Sequence, residues 1–175
     1  IPKISFDASI YDLQKPLNVA GPTRIERSVP TISVDSGLVF ERPAFEWTHL
    51  LGVPITQTLE PRAFYVYTPF REQSQIPIFD SASTDFNLTK IFSEQSFSGH
   101  DRIADNSKVT LGITSRLLEE NTGAERAQFV LAQRFDLDGQ RVTMGSTNTA
   151  AQSSYSDLLV GASVRLLPKV TLESA

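Results

Sequence analysis

Strict alternation of apolar and polar side chains constrains this chain more than anything else in it. In 107–118, Val109, Leu111, Ile113 and Leu117 share one parity, and Lys108, Thr110, Thr114 and Arg116 take the other. Side chains two apart point the same way on a strand, so this segment is a strand with one greasy and one polar face. The next segment repeats the pattern, with Ala127, Phe129, Leu131, Phe135 and Leu137 against Arg126, Gln128, Arg134 and Asp136. Between them, Glu119 to Ala124 places Asn121 and Gly123 where a hairpin needs them. The same period sets Ile4, Phe6, Ala8 and Ile10 against Lys3, Ser5, Asp7 and Ser9, and Ile32, Val34, Leu38 and Phe40 against Thr31, Ser33, Asp35 and Glu41. It returns in Leu158, Val160, Ala162, Val164 and Leu166. In 54–68, Ile55, Leu59, Ala63, Tyr65 and Tyr67 oppose Thr56, Thr58, Glu60 and Arg62, while Phe64 and Val66 interrupt the polar face.

About seven strands follow, over 1–12, 30–47, 54–68, 106–119, 124–137, 154–167 and from 170 onward. The connections alternate. Those at 48–53, 120–123 and 168–169 are short, and those at 13–29, 69–105 and 138–153 are long. Outer-membrane barrels alternate tight periplasmic turns with long outer loops, and their strands need only about 9–11 residues to cross a bilayer. Aromatics near strand ends (Phe40, Phe45, Trp47, Phe64, Tyr65, Tyr67, Phe70, Phe135, Tyr155) suit interfacial girdles, and equally the strand preference of aromatic side chains. No apolar run approaches the roughly 20 residues of a spanning helix. The fold class expected is all-β: an antiparallel transmembrane β-barrel of which this chain supplies part. The one plausible helix is a turn or two over 85–92, capped by Asp85 or Asn87.

A net charge of −4 and no Lys/Arg run remove any electrostatic basis for nucleic-acid binding. The absence of Cys removes thiol chemistry and Cys-based metal sites from these residues. The acidic pairs Asp80/Asp85 and Asp101/Asp105 lack calcium-loop spacing, and His49 and His100 sit far apart without further ligands. No serine lies in a nucleophile-elbow context. We expect no catalytic residue, no metal and no cofactor.

Two groups of side chains stand out instead. Glu60, Pro61 and Arg62 put a proline between two charges inside a strand. Proline loses a ladder hydrogen bond and belongs at an edge or bulge. The two charges share a face, free to pair with each other or with neighbouring strands. On a barrel that face is the lumen, since bare charge on lipid costs several kcal/mol. The second group is Asp101, Arg102 and Asp105, with Arg116 in the strand that follows. The arginines are placed to pair with these acids, or to hold the long loop down inside a barrel mouth.

Two stretches carry a family likeness. One runs Gln57-Thr-Leu-Glu-Pro-Arg-Ala-Phe-Tyr-Val-Tyr-Thr-Pro-Phe70, followed by Gln73-Ser-Gln-Ile-Pro-Ile-Phe-Asp80. The other runs Phe97-Ser-Gly-His-Asp-Arg-Ile-Ala-Asp105, followed by Leu111-Gly-Ile-Thr-Ser-Arg116. In this order and spacing they resemble the barrel domain of the LptD family, the lipopolysaccharide-assembly proteins also known for organic-solvent tolerance, most densely over 54–137.

The resemblance implies an outer-membrane location in a Gram-negative bacterium and a role in placing lipopolysaccharide in the outer leaflet, without enzymatic activity. It implies a lipoprotein plug, LptE, inside the barrel. It also implies a periplasmic bridge protein that delivers lipopolysaccharide through an N-terminal jelly-roll domain. The chain starts at Ile1 without Met and stops inside a strand, so we expect a fragment, 1–175, of the barrel domain, with a long outer loop at about 69–105 and without the jelly roll. The family's disulfides and lateral gate cannot be placed on it. The implied roles are lumen and strand geometry for Glu60, Pro61 and Arg62, and loop anchoring or plug contact for Gly99, Asp101, Arg102, Asp105 and Arg116. A passive porin built on the same strand pattern is the alternative, distinguished by large steady conductance without a plug. A soluble β-sandwich is a third, distinguished by solubility without detergent.

Overall fold

The period-two segments pair with their neighbours in sequence to form one twisted antiparallel sheet. The structure, a computed structural model, describes residues 1–14, 21–84, 87–144, 155–156, 158–167 and 170–174. Its elements are β1 (Pro2–Asp12), β2 (Arg24–Gly37), β3 (Phe40–Pro43), α1 (Phe45–Leu51), β4 (Ile55–Thr68), β5 (Ala82–Ser83), β6 (Phe97–Ser98), β7 (Asn106–Glu119), β8 (Glu125–Asp136), β9 (Leu159–Leu167) and β10 (Val170–Ser174). The main sheet runs β1-β2-β4-β7-β8-β9-β10, with β3 beside β4. Each pairing is antiparallel. Among the described residues β1 and β10 do not meet, so the sheet is open. The described residues are all-β apart from α1, as the alternation requires.

Three boundaries differ from the sequence reading. The strand expected over 30–47 starts at Arg24, because β1 pairs with it from Pro2↔Val34 to Asp12↔Arg24 and draws six further residues into the ladder. It ends at Pro43, where β3 gives way to α1, so Phe45 and Trp47 are helical and the short connection at 48–53 holds the end of a helix. Gly52 stops that helix in the left-handed conformation (φ 72°), its N–H reaching the Thr48 carbonyl at 2.9 Å. The helix expected over 85–92 is instead a turn. The Asn87 side chain accepts from the N–H groups of Thr89 and Lys90, and no α-helix follows among the described residues. Asp85, the 168–169 connection and most of 138–153 lie outside the described residues.

The two faces of the sheet meet different surroundings. One carries Ile4, Phe6, Ile10, Ile32, Val34, Leu59, Tyr67, Leu111, Phe129, Val160 and Val164, all exposed; Phe6 is 67 % exposed. The register sets them side by side across strands, as in Ile4↔Ile32, Ile32↔Tyr67, Ala63↔Leu111 and Ala127↔Val164. The other face carries the polar set, and it is buried: Arg27, Thr31, Ser33, Thr58, Thr68, Lys108 and Thr110. The connection 69–105 covers it. Phe64 and Val66, which interrupt the polar alternation of β4, are buried on this covered face.

Candidate functional site

The covering segment is tied to five strands through their polar side chains. On β1, Lys3 bonds Glu94 at 2.7 Å. On β2, Ser33 donates to the other oxygen of the same carboxylate at 2.5 Å. On β4, the Arg62 guanidinium lies 4.3 Å from the centre of the Phe92 ring. On β7, Thr110 donates to the Ile91 carbonyl at 3.1 Å, and Lys108 to the Ser96 hydroxyl at 3.3 Å. On β8, Arg134 reaches the carbonyls of Lys90 and Ile91. A strand face rich in hydroxyls and cations suits an irregular segment, because it supplies donors for backbone carbonyls that no ladder satisfies.

Arg27 is the centre of this attachment. Its side chain is 1 % exposed. Nη1 donates to Gln73 Oε1 at 3.1 Å and to the Asp101 carbonyl at 2.8 Å. Nη2 donates to Asp7 Oδ1 at 2.9 Å, Ser9 Oγ at 3.2 Å and the His100 carbonyl at 2.7 Å. One planar fork therefore joins β1, β2 and both ends of the covering segment, geometry that a lysine cannot reproduce. Gln73 closes the other half. Its Oε1 also accepts the Ile103 N–H at 3.0 Å, and its Nε2 donates to the Ile103 carbonyl at 2.8 Å.

The sequence-selected loop residues surround this hub. Asp101 Oδ2 accepts the N–H groups of Phe79 and Asp80, at 2.7 and 2.6 Å. Ser81 Oγ accepts the N–H groups of Asp101 and Arg102, at 3.0 and 3.1 Å. Gly99 adopts φ +74°, and a Cβ there would stand 2.5 Å from the Asp80 carbonyl oxygen, so only glycine fits. The His100 N–H holds the exposed Asp80 carboxyl below its ordinary range. Asp105 accepts the backbone N–H groups of Arg141 (3.0 Å) and Val142 (2.8 Å), pinning the next long connection beside the first. Phe97, Ala104 and Val142 form a small apolar core there, flanked by Phe70 and Met144. Burial pushes the Arg102 guanidinium below its ordinary value, and among the described residues its Nη1 reaches only the Asp101 carbonyl, at 3.4 Å.

The Glu60-Pro61-Arg62 group lies lower on the same face. Glu60 and Arg62 pair with neighbouring strands rather than with each other. Arg116 Nη1 meets both Glu60 oxygens, at 2.7 and 2.6 Å, and its Nε reaches Glu125 at 3.2 Å. Arg62 Nε donates to Asp35 Oδ1 at 2.9 Å. Arg116 is therefore committed to Glu60 and Glu125, not to Asp101 or Asp105, because β7 places it at the opposite end of the strand from them. Pro61 accepts the Leu38 N–H at 3.0 Å.

Arg27, Gln73 and Phe92 were not singled out from the sequence. A strand that begins at residue 30 places Arg27 in a connection. Extended to Arg24, the same alternation puts a lone cation on the polar face, diagonal to Asp7 of β1.

A family model described as "LptD: LPS transport system D" matches residues 1–175. The chain belongs to the LptD family. Curated relatives called "LPS-assembly protein LptD" include that of Cupriavidus metallidurans, 50 % identical over 166 residues, which is 94 % of this chain and 20 % of the relative. That of Ralstonia nicotianae is 47 % identical over 165 residues, 94 % of this chain and 20 % of the relative. That of Burkholderia lata is 45 % identical over 168 residues, 95 % and 21 %. The chain thus spans about a fifth of the length of these LptD relatives. Both recognised stretches, and every side chain of the anchor from Asp7 to Asp105, fall within the residues matched to the LptD model.

Proposed function

We propose that this chain is a section of wall from an outer-membrane β-barrel that assembles lipopolysaccharide at the surface of a Gram-negative cell, with the segment 69–105 folded inward as part of the barrel's filling. One observation carries the reading: the apolar face of the sheet is bare, and the polar face is covered by the chain's own loop. A water-soluble sheet buries its apolar face. An apolar band of this extent, continuous across strands, belongs against lipid. From Leu59 to Tyr67 the band runs roughly 26 Å along β4 at about 3.3 Å per residue, and roughly 20 Å after a tilt of about 40°. That approximates the apolar belt of a membrane barrel.

The printed name of the relatives supplies the substrate, lipopolysaccharide, and the covered lumen supports assembly over passive conduction. The loop fills space that a porin leaves to water. The role is mechanical, without catalysis or cofactor. On this reading a lipoprotein plug such as LptE shares the lumen with the loop, and a periplasmic bridge delivers lipopolysaccharide through a jelly-roll part of the parent protein. Depleting the full-length protein tests it, by surface labelling of newly made lipopolysaccharide. The expected outcome is lipopolysaccharide retained below the outer leaflet. Undiminished surface arrival, or large steady conductance of the purified protein with its loop in place, overturns it.

A further inference from the structure

The helix α1 presents an apolar face that nothing in the sheet uses. Trp47, Leu50 and Leu51 stand at i, i+3 and i+4, one stripe of a helix, and all three are exposed, Leu50 at 72 %. Phe45, at 70 % exposed, precedes them. His49 takes a different side of the turn, while Glu46 precedes Leu50 by one turn. The helix is held from beneath. Ala44, Ile55 and Leu117 form a buried cluster with Val53 and Ala127 packed against it. The Thr48 hydroxyl donates to the Ala44 carbonyl at 3.1 Å and accepts the Ile55 N–H at 3.1 Å.

The position of that cluster decides the meaning. Leu117 shares strand parity with Leu111 and Ile113, Ala127 with Phe129, and Ile55 with Leu59. These are the parities of the bare apolar face, so α1 sits on the outside of the wall, at the edge of the band. It lies at the end of β4 away from the 69–105 segment, roughly 13 Å along the strand beyond Leu59 at about 3.3 Å per residue. Between the helix and the band, Arg42 donates from Nε and Nη2 to the Gln57 side chain at 2.9 and 2.7 Å and forms no ion pair among the described residues. Past the end of the apolar band comes first this cation without a carboxylate partner and then an indole beside aliphatic side chains, a sequence that suits the interfacial zone of a bilayer, where the band meets acyl chains and the rim meets phosphates and headgroups.

We propose that α1 is an interfacial anchor, seated in the headgroup zone of the phospholipid leaflet at the short-turn rim of the wall, with Trp47, Leu50 and Leu51 turned to lipid and Arg42, nearer the band, at the level of the phosphates. The inference rests on the membrane-wall reading above, and continuity of the helix with that wall's lipid face selects phospholipid as the occupant.

The test uses the full-length protein reconstituted in phosphatidylethanolamine/phosphatidylglycerol vesicles and, in parallel, expressed in cells. A photoreactive p-benzoylphenylalanine replaces Leu50, Leu51, His49 or Phe129, one at a time. After irradiation the adducts are read by mass spectrometry. We expect phospholipid adducts at Leu50 and Leu51 several-fold above His49, and at Phe129 on the wall. Lipid adducts at Phe129 with none at either leucine overturn the anchor and leave the wall intact. No lipid adduct at any position overturns both. Adducts of the leucines with a periplasmic protein or a second copy, in place of lipid, assign the face to that partner and overturn the anchor.

Discussion

Leu38 donates its N–H to the Pro61 carbonyl at 3.0 Å, and Pro61 has no N–H to return. In an antiparallel ladder such a directly opposed pair exchanges two bonds. The register is the same on both sides, Gly37↔Arg62 before and Phe40↔Leu59 after, so β2 and β3 are one strand interrupted where the second bond is missing. Pro61→Ala restores that bond. A net hydrogen bond is worth about 1 kcal/mol, and losing proline's restriction of the unfolded chain costs about 0.4–1 kcal/mol, so stability should move by less than about 1 kcal/mol. The sharper readout is local. In hydrogen exchange of the full-length protein the new amide at 61 should be protected. Exchange at the rate of unstructured peptide would mean the break has another origin.

The five bonds of Arg27 make it the most consequential single side chain in the cover. Arg27→Ala strands the carbonyls of His100 and Asp101 and the Asp7 carboxylate on a buried surface. Removing one member of a buried ion pair costs about 3–5 kcal/mol, and Asp7 is partly exposed, so the lower end applies. Arg27→Lys should recover little, because one ammonium cannot span acceptors on both sides of the fork. The check is limited proteolysis of 69–105 in the detergent-solubilised full-length protein, with outer-membrane leakage to large antibiotics in cells. Both variants should cleave faster and leak more than Arg102→Ala, whose side chain makes one long bond among the described residues. Equal leakage from Arg102→Ala would move the anchor to Arg102.

How much of this was legible in advance depended on the range of the interaction. Period two is local, and it placed β4, β7 and β8 nearly to the residue and separated the two faces. Family motifs pointed to Gly99, Asp101 and Asp105, which lie within the recognised stretch 97–105. The alternation could not show α1, since Phe45-Glu46-Trp47 keeps the strand's period for three residues and only Gly52 marks the stop. Nor could it show Arg27 as a hub. Its acceptors lie 18 to 74 residues away, and register across strands decides which of them it meets. The partners of Glu60 and Arg62 are a register matter too, and follow from β4 lying between β2 and β7.

Gly99 and Gly123 separate backbone strain from collision. Both have positive φ, +74° and +69°. A methyl group at Gly123 meets nothing within 4 Å, so Gly123→Ala carries only the left-handed penalty, about 1–2 kcal/mol. At Gly99 it strikes the Asp80 backbone, which the Asp101 carboxylate holds in place. Gly99→Ala should therefore cost clearly more, expose β5 and β6, which pair through Ala82↔Ser98, to protease, and sensitise cells to large antibiotics while Gly123→Ala does not. Matching phenotypes for the two would remove the steric argument.

Glu94 gives the cover a pH dependence whose sign is fixed. Burial pushes its carboxyl up, but the bonds from Lys3 and Ser33 and the Lys3 charge outweigh it and hold the group below its ordinary 4.5. A depressed carboxylate stabilises the folded form at pH above its unfolded value. That contribution is lost as the pH falls through the folded value. The tie between 69–105 and strands β1 and β2 should thus be constant at neutral pH and loosen only below about pH 4.5. The protection factor over 90–96, exchange corrected for its intrinsic pH dependence and measured from pH 7 down to 3, should fall in that window. Glu94→Gln should exchange faster already at pH 7 and show a flatter profile, because the amide keeps an acceptor for Ser33 but gives Lys3 no charge. An unchanged pH profile in Glu94→Gln would assign the transition to another carboxylate of the loop.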